Sequence, residues 1–447
     1  MDVELLARLQ FGFTIAFHYL FPPMSIGLGL LLVFMEGMYL QTKNELYHHM
    51  TRFWVKVFGL VFALGVATGI VMEFQFGTNW ATYSRYVGDI FGSILAAEGV
   101  FAFFLESGFL AILLFGWNKV KPRTHFIATV MVALGAHFSA IWIVVANSWQ
   151  QTPAGYHLVQ ATSGVRAELT SFRDAVLNPS FLDRISHVYM GAWQAGAFLV
   201  LSVSSFYLLR GRHREFARAS MKFGLLLALV ASTLQLVTGH SSAEGVAEHQ
   251  PVKLAAYEGH FASSEPATMY FVGWVDENQG RTYGIGIPGM LSWLIYGDRS
   301  AAVTGLNAFE PEDRPPVNIV FQSYHAMLGI GMVLILISLF GAVYWWRGKL
   351  WRARWLLWIM VFAVLGPQFA NQLGWLSAEV GRQPWIVYEL LRTGDALSRT
   401  VSSQEVLMSL LMFGLIYLLL FILFVYLLNE KIQHGPEVYA VEEGKRA

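Results

Sequence analysis

The chain has 447 residues, 55 % of them hydrophobic and 13 % charged, about half the charge of an ordinary soluble domain. Its 30 basic and 30 acidic residues cancel, so nothing in the charge balance points to nucleic acid as a partner. Cysteine is absent, which excludes iron–sulfur clusters, thiolate-ligated or covalently attached c-type heme and disulfides, and leaves His, Met and carboxylates to hold any metal.

The apolar residues gather in runs of about 20, the length that crosses about 30 Å of hydrocarbon. In chain order, spans are expected at 11–38, 55–74, 94–116, 125–147, 186–209, 220–239, 318–345, 355–376 and 406–428. The expected fold class is all-α, a polytopic transmembrane bundle of about nine spans in a single membrane domain over 1–447. The acidic start, Met1-Asp2-Val3-Glu4, lacks the basic segment of a secretory signal, so the first run is expected to be retained as a span. Basic residues fall in alternate connections: Lys43, Arg52 and Lys56; Lys119, Lys121 and Arg123; Arg210, Arg212, Arg214, Arg218 and Lys222; Arg347, Lys349, Arg352 and Arg354; then Lys431, Lys445 and Arg446. The positive-inside rule puts these in the cytoplasm, the N-terminus outside and the C-terminus in the cytoplasm. Two outer segments are long, about 148–185 and 240–317, and long segments in compact chains are commonly functional or disordered.

An ionisable group within a span is a functional candidate because its burial is costly. His18 sits among apolar neighbours in the first span. It reads equally as a ligand or as a histidine bonded to a backbone carbonyl. Glu98 and Glu106 share the third span, about 12 Å apart along a helix. Stepped carboxylates suit a proton relay, and protonated structural acids are the other reading. His187 opens the fifth span and Met327 lies in the seventh. A His/Met pair is the axial set of an electron-transferring heme, although methionine in a span is ordinarily packing. Glu379 and Arg382 follow the eighth span. Arg382 can fork onto Glu379 or a heme propionate, or the two can form an interfacial ion pair. All but Glu106 fall in the outer half of the membrane or at its surface, beside the 240–317 segment, where an electron donor could dock.

These residues sit among longer motifs: Phe62-Ala63-Leu64-Gly65-Val66-Ala67-Thr68-Gly69, Met72-Glu73-Phe74-Gln75-Phe76-Gly77-Thr78-Asn79-Trp80, Phe103-Phe104-Leu105-Glu106-Ser107 and Gly381-Arg382-Gln383-Pro384-Trp385. With them, nearly the whole chain resembles subunit I of the cytochrome bd quinol oxidases. The resemblance implies two hemes b and one heme d, the last replaceable by a b-type heme, with quinol and O2 as substrates. It puts His18 at a ligand of the oxygen-reducing heme, Glu98 on that heme's other side, and Glu379 at the ligand of the high-spin heme b. His187 and Met327 take the axial pair of the low-spin heme, and Trp375 lies between hemes. Lys253 and Glu258 fall in the quinol loop, and Glu106 and Ser139 on a proton route from the cytoplasm. It further implies a second large membrane subunit, small single-span subunits, and a bacterial or archaeal cell membrane. Where many members have Arg two residues before the axial methionine, this chain has His325, a potential rival ligand. The quinol loop also lacks the long insertion of some relatives, which leaves the quinone open.

A heme-copper oxidase is disfavoured because the His48-His49 pair lies in a short connection rather than within spans. A transporter coupled through Glu98 and Glu106 is the alternative of another class. Transporters commonly carry repeats and broken helices, and the sequence displays neither.

Overall fold

The computed structural model describes residues 2–161 and 164–436, so Lys445 and Arg446 lie outside the described residues. Among the described residues, nine helical stretches are long and apolar enough to cross a membrane: Val3–Thr42, Glu45–Thr78, Ala81–Phe115, Pro122–Gln151, Phe181–Arg210, Arg214–His249, Pro311–Trp346, Arg354–Val380 and Ser403–His434. The protein is a multi-pass, all-α membrane bundle. Its basic connections gather at one end, called here the basic end, and the long segments at the other, the loop end.

The helices overrun the apolar runs, and the reasons are local. The first span breaks into α1 (Val3–His18) and α2 (Pro22–Thr42), because Pro22 and Pro23 lack the N–H groups that would continue the ladder. After α3 (Glu45–Thr78), the third span begins at Ala81 rather than near 94. Its first helix, α4 (Ala81–Glu98), buries Tyr83, Tyr86, Val87, Ile90, Phe91 and Ile94 on one face while its other face is polar, which lowers the hydropathy. One π turn, Gly99–Phe103, then separates α4 from α5 (Phe104–Phe115). It falls between Glu98 and Glu106 and rotates the two acids relative to an unbroken helix. Next come α6 (Pro122–Gln151), the hairpin β1 (Tyr156–Ala161) and β2 (Gly164–Leu169), and α7 (Phe172–Val176).

The central helix α8 (Phe181–Arg210) is followed by α9 (Arg214–His249). The helix α9 continues ten residues past the expected end of its span at 239, because Ser241 and Ser242 hydrogen-bond to Asp183 at the start of α8. The loop-end segment therefore starts at Gln250. It holds α10 (Pro251–Tyr257), the antiparallel hairpin β3 (Met269–Asp276) and β4 (Arg281–Ile287), and α11 (Met290–Tyr296). Two spans follow, α12 (Val317–Trp346) and the pair α13 (Arg354–Phe362) and α14 (Leu365–Val380), then the short β5 (Trp385–Val387) and β6 (Leu391–Arg392), and finally α15 (Ser403–His434).

Packing centres on α2 and α8. The apolar part of α8 is mostly buried within the bundle, whereas that of α15 is mostly exposed, its leucines and phenylalanines facing outward as a lipid-exposed helix requires. The two central helices cross at Gly27 and Gly196. A Cβ placed on Gly196 would lie 2.6 Å from the Gly27 Cα. In lipid, where no hydrophobic force draws helices together, such close backbone approach supplies the packing. Gly196→Val is expected to destabilise the fold by about 1–3 kcal/mol, seen as a lower melting temperature in detergent. Gly88→Ala, with open space around it, should leave the melting temperature near that of the parent.

Candidate cofactor site

His187 lies near the start of α8. Gln235 of α9 approaches its ring at 2.8 Å from Nε2 and 3.0 Å from Nδ1, and Thr238 is 3.3 Å from Nδ1. Gly239 faces the same ring: a Cβ there would be 3.4 Å from its Cε1. Met327 of α12 faces another glycine, Gly374 of α14, where a Cβ would come within 2.9 Å of the sulfur. The antiparallel α8 and α14 are registered by Gly191, where a Cβ would lie 2.6 Å from the Asn371 Oδ1. One turn on from these partners come His187 on α8 and Gly374 on α14. His187 and Met327 therefore stand at one level of a seam walled by glycine, with the Asn371 Nδ2 and both amide ends of Gln368 buried and unpartnered nearby. An imidazole and a thioether at one level, with unpartnered amides beside them, are a donor set that fits a heme.

His325, two residues before Met327, is turned toward backbone carbonyls. Its Nδ1 lies 2.9 Å from the Phe321 carbonyl oxygen and its Nε2 2.6 Å from the Tyr270 carbonyl oxygen. A neutral ring donates to one of these carbonyls at a time, and it ties β3 to α12, as does Gln322, which donates to the Gly273 carbonyl at 2.7 Å.

His18 ends α1 and packs on α3. Its Nδ1 is 2.9 Å from the Thr68 hydroxyl, and a Cβ on Gly69 would lie 3.3 Å from its Cε1. One turn beyond Gly69 on the same face of α3 is Glu73, close enough to Glu98 to act on it electrostatically. Ser139 of α6 donates to Glu98 at 2.6 Å. The resemblance groups Ser139 with Glu106; the bond joins it instead to Glu98, because the intervening π turn directs the two acids differently. Glu106 is buried against Gly135, where a Cβ would meet its Cγ at 2.6 Å.

Glu379, at the end of α14, lies in a cluster of cations. The Arg382 guanidinium is 2.5 Å from its Oε2 and that of Arg184 3.9 Å from its Oε1. Asn147 and Gln151 of α6 each donate to Oε1 at 3.1 Å. Arg184 donates to the Asn147 side-chain oxygen, and Lys253 to the side-chain oxygens of Gln151 and Gln250. Arg184 also lies 5.7 Å from the centre of the Trp375 ring, which meets Tyr19 edge-on at 5.4 Å. One carboxylate thus faces three basic side chains. Burial holds the Lys253 ammonium well below its ordinary value, and Arg184 and Arg382 push it further down. An added anion, such as a heme propionate, would relieve that imbalance.

Lys253 and Glu258, paired in the resemblance as quinol-loop residues, face different surroundings. Lys253 turns into the Glu379 cluster. Glu258 ends α10 beside Tyr324, with its Oε2 buried and unpartnered, and burial pushes its carboxyl up to about 8. Tyr257 stacks on Tyr324 with ring centres 4.4 Å apart. Sequence reasoning missed Arg184, Asn147, Gln151, Gln235 and Glu73 as site residues. The available signals were the spacing of Arg184 one turn before His187 and the polar pair Asn147 and Gln151 one turn apart on α6.

Comparison with known proteins identifies the family. The family model described as cytochrome bd terminal oxidase subunit I matches residues 6–436. The chain is 39 % identical to cytochrome bd ubiquinol oxidase subunit 1 of Bacillus subtilis (strain 168) over 448 residues, 98 % of this chain and 95 % of that one. It is 36 % identical to cytochrome bd-II ubiquinol oxidase subunit 1 of Escherichia coli (strain K12), covering 99 % and 98 %. A putative cytochrome bd menaquinol oxidase subunit I of Bacillus subtilis (strain 168) is 33 % identical over 90 % of this chain and 91 % of that one. Among solved structures, a chain of the bd oxidase from Geobacillus thermodenitrificans superposes with a TM-score of 0.90 at 28 % identity, covering 97 % of this chain and 99 % of that one. The chain belongs to the cytochrome bd terminal oxidase subunit I family. It is a subunit of a quinol:oxygen oxidoreductase, a heme-bearing membrane enzyme of a multi-subunit class, and the transporter alternative falls away.

The raised Glu258 carboxyl carries a pH dependence with a definite sign. Its ordinary value is 4.5 and its folded value about 8, so the folded state holds the proton more tightly than the unfolded one. The stabilisation is full below about 4.5 and is lost as pH rises to about 8. The protection of α10 amides, after division by the intrinsic pH-dependent exchange rate, should therefore fall over that window, and Glu258→Gln should leave that protection level across it.

Proposed function

We propose that this subunit oxidises quinol at the loop end, facing outside, and takes the protons for O2 reduction from the cytoplasm at the basic end. The observation that carries the reading is the placement of His187 and Met327 at one level of the glycine-walled seam, next to the Glu379 cluster and under α10. His187 and Met327 would hold a low-spin heme b, Glu379 a high-spin heme b, and His18 with Glu98 the terminal heme, d or b in type. Arg184, Arg382 and Lys253 would meet propionates. When bound, the hemes carry electrons from quinol and supply the iron at which O2 is reduced.

The chain's own residues supply the rest. Glu258 closes α10, where a quinol hydroxyl would find a carboxyl that titrates near neutrality, while Lys253, from the middle of the same helix, faces the Glu379 cluster. Glu258 takes a proton from the hydroxyl and releases it outside. Trp375 fills the space between Tyr19 and Arg184 and excludes water from the path between cofactors. Glu106 takes up protons arriving from the cytoplasm, and Glu98, held by Ser139, receives them next to the terminal site. Each O2 consumes four protons and four electrons, and two quinols supply the electrons while releasing four protons on the opposite side. Charge is separated without a pump. A second large membrane subunit covers the exposed face that carries Glu73, small single-span subunits complete the complex, and its place is the bacterial or archaeal cell membrane.

Met327→Leu keeps the size of the side chain and removes the sulfur. In the purified complex it should turn the low-spin spectrum of one heme into a high-spin one and slow quinol oxidation at least tenfold, with the other hemes unchanged. A retained low-spin band would mean that another residue ligates, and the reading of the seam would be wrong.

A further inference from the structure

At the basic end, α2, α5 and α6 enclose a second acid that the proposed route does not use. Glu36 of α2 and His125 of α6 are each 2 % exposed, and Thr129 is 1 % exposed. The His125 Nδ1 lies 2.7 Å from the Glu36 Oε1, Thr129 donates to Oε2 at 2.5 Å, and the His125 Nε2 faces the Leu113 carbonyl oxygen of α5 at 3.2 Å. The Trp117 ring lies over His125, centre to centre 3.8 Å.

The hydrogen-bond roles constrain the protonation. A ring nitrogen facing a carbonyl oxygen must carry hydrogen, so Nε2 is the donor to Leu113. One further proton then lies between Nδ1 and Oε1. It sits on the imidazole of an ion pair or on the carboxyl of a neutral pair, and both forms have zero net charge. Such a pair holds one transferable proton without the cost of a buried net charge. Losing that proton leaves a buried anion, which drives its replacement.

Both ends of the pair lead somewhere. Toward the surface, His48 of α3 packs 5.1 Å from Trp117 and 4.8 Å from Tyr39 by ring centres, with its Nδ1 buried and unpartnered, and Glu36 acts on it electrostatically. Besides His48, the titratable groups acting on Glu36 or its neighbours are Tyr39 of α2 and Glu45 of α3, with His49 and Arg52 beyond His48. Toward the interior, α6 carries Thr129, then Gly135 against Glu106, then Ser139 bonded to Glu98. The step from Thr129 to the level of Glu106 is six residues, about 9 Å of helix, a gap that about three hydrogen-bonded waters would bridge.

We propose that Glu36 and His125 form a proton-holding pair that supplies Glu106 from the basic end. The inference rests on the proton route through Glu106 proposed above. A purely structural cross-link makes a different prediction, because Gln at position 36 can keep both hydrogen bonds and cannot ionise. The test uses the purified oxidase complex, with O2 consumption at saturating quinol expressed per heme so that impaired assembly does not mimic impaired proton delivery. Glu36→Gln should lower turnover at least tenfold, more steeply as pH rises, with the heme bands and the KM for quinol unchanged. Glu36→Asp should restore most of the rate. Normal turnover in Glu36→Gln, beside a slow Glu106→Gln, would overturn the pair's role and leave the route standing. Normal turnover in Glu106→Gln would overturn the route and the pair's role with it.

Discussion

Four ionisable side chains meet at the loop end of a membrane-embedded bundle: Glu379, Arg184, Arg382 and Lys253. Arg382 and Lys253 are buried and Arg184 and Glu379 partly so, so each needs a partner within the protein or in something the protein holds. The surrounding architecture follows from that demand. The pocket needs Asn147 and Gln151 on α6, Arg184 on α8, Lys253 on α10 and Glu379 on α14, so four helices must end at one level. The glycine crossing of α2 and α8 sets that level by fixing the central helix, and Gly191 against Asn371 sets α14 beside it. With more basic groups than carboxylates, the pocket would favour an added anion.

The same reasoning separates the two ends of the bundle. At the loop end, charges are gathered and left incompletely matched, which suits the binding of a charged cofactor. At the basic end, Glu36 and His125 match each other within a closed set of hydrogen bonds. Between them Glu98 and Glu106 stand on either side of the π turn, one held by a hydroxyl and one packed on a glycine. The acids therefore sit in graded surroundings along α6 rather than in one cavity.

Much of the fold was legible in the sequence because lipid imposes a simple rule: an apolar run of sufficient length becomes a helix. The rule fails where a helix has a polar face with partners. It missed the first turns of α4, whose outward side is polar, and the end of α9, whose serines bond to Asp183. The break at Tyr19-Leu20-Phe21 was also hidden, since the prolines that cause it lie inside one continuous apolar run. At the site, His18, Glu98, Glu106 and Glu379 stood out as ionisable groups in or beside spans. Arg184, Asn147 and Gln151 did not, because polar residues are ordinary near span ends and only the fold brings them onto Glu379. Spacing alone could not pair Ser139 with Glu98 or show the His325 ring turned toward the Phe321 and Tyr270 carbonyls.

The central claim is that the Glu379 cluster is a cofactor site. It is tested most directly by the reduced-minus-oxidised absorption spectrum of the purified complex carrying Glu379→Gln, with heme content measured per complex. Loss of one high-spin heme's bands, with the low-spin bands retained, is the result expected. A full complement of hemes with an unchanged spectrum would contradict it.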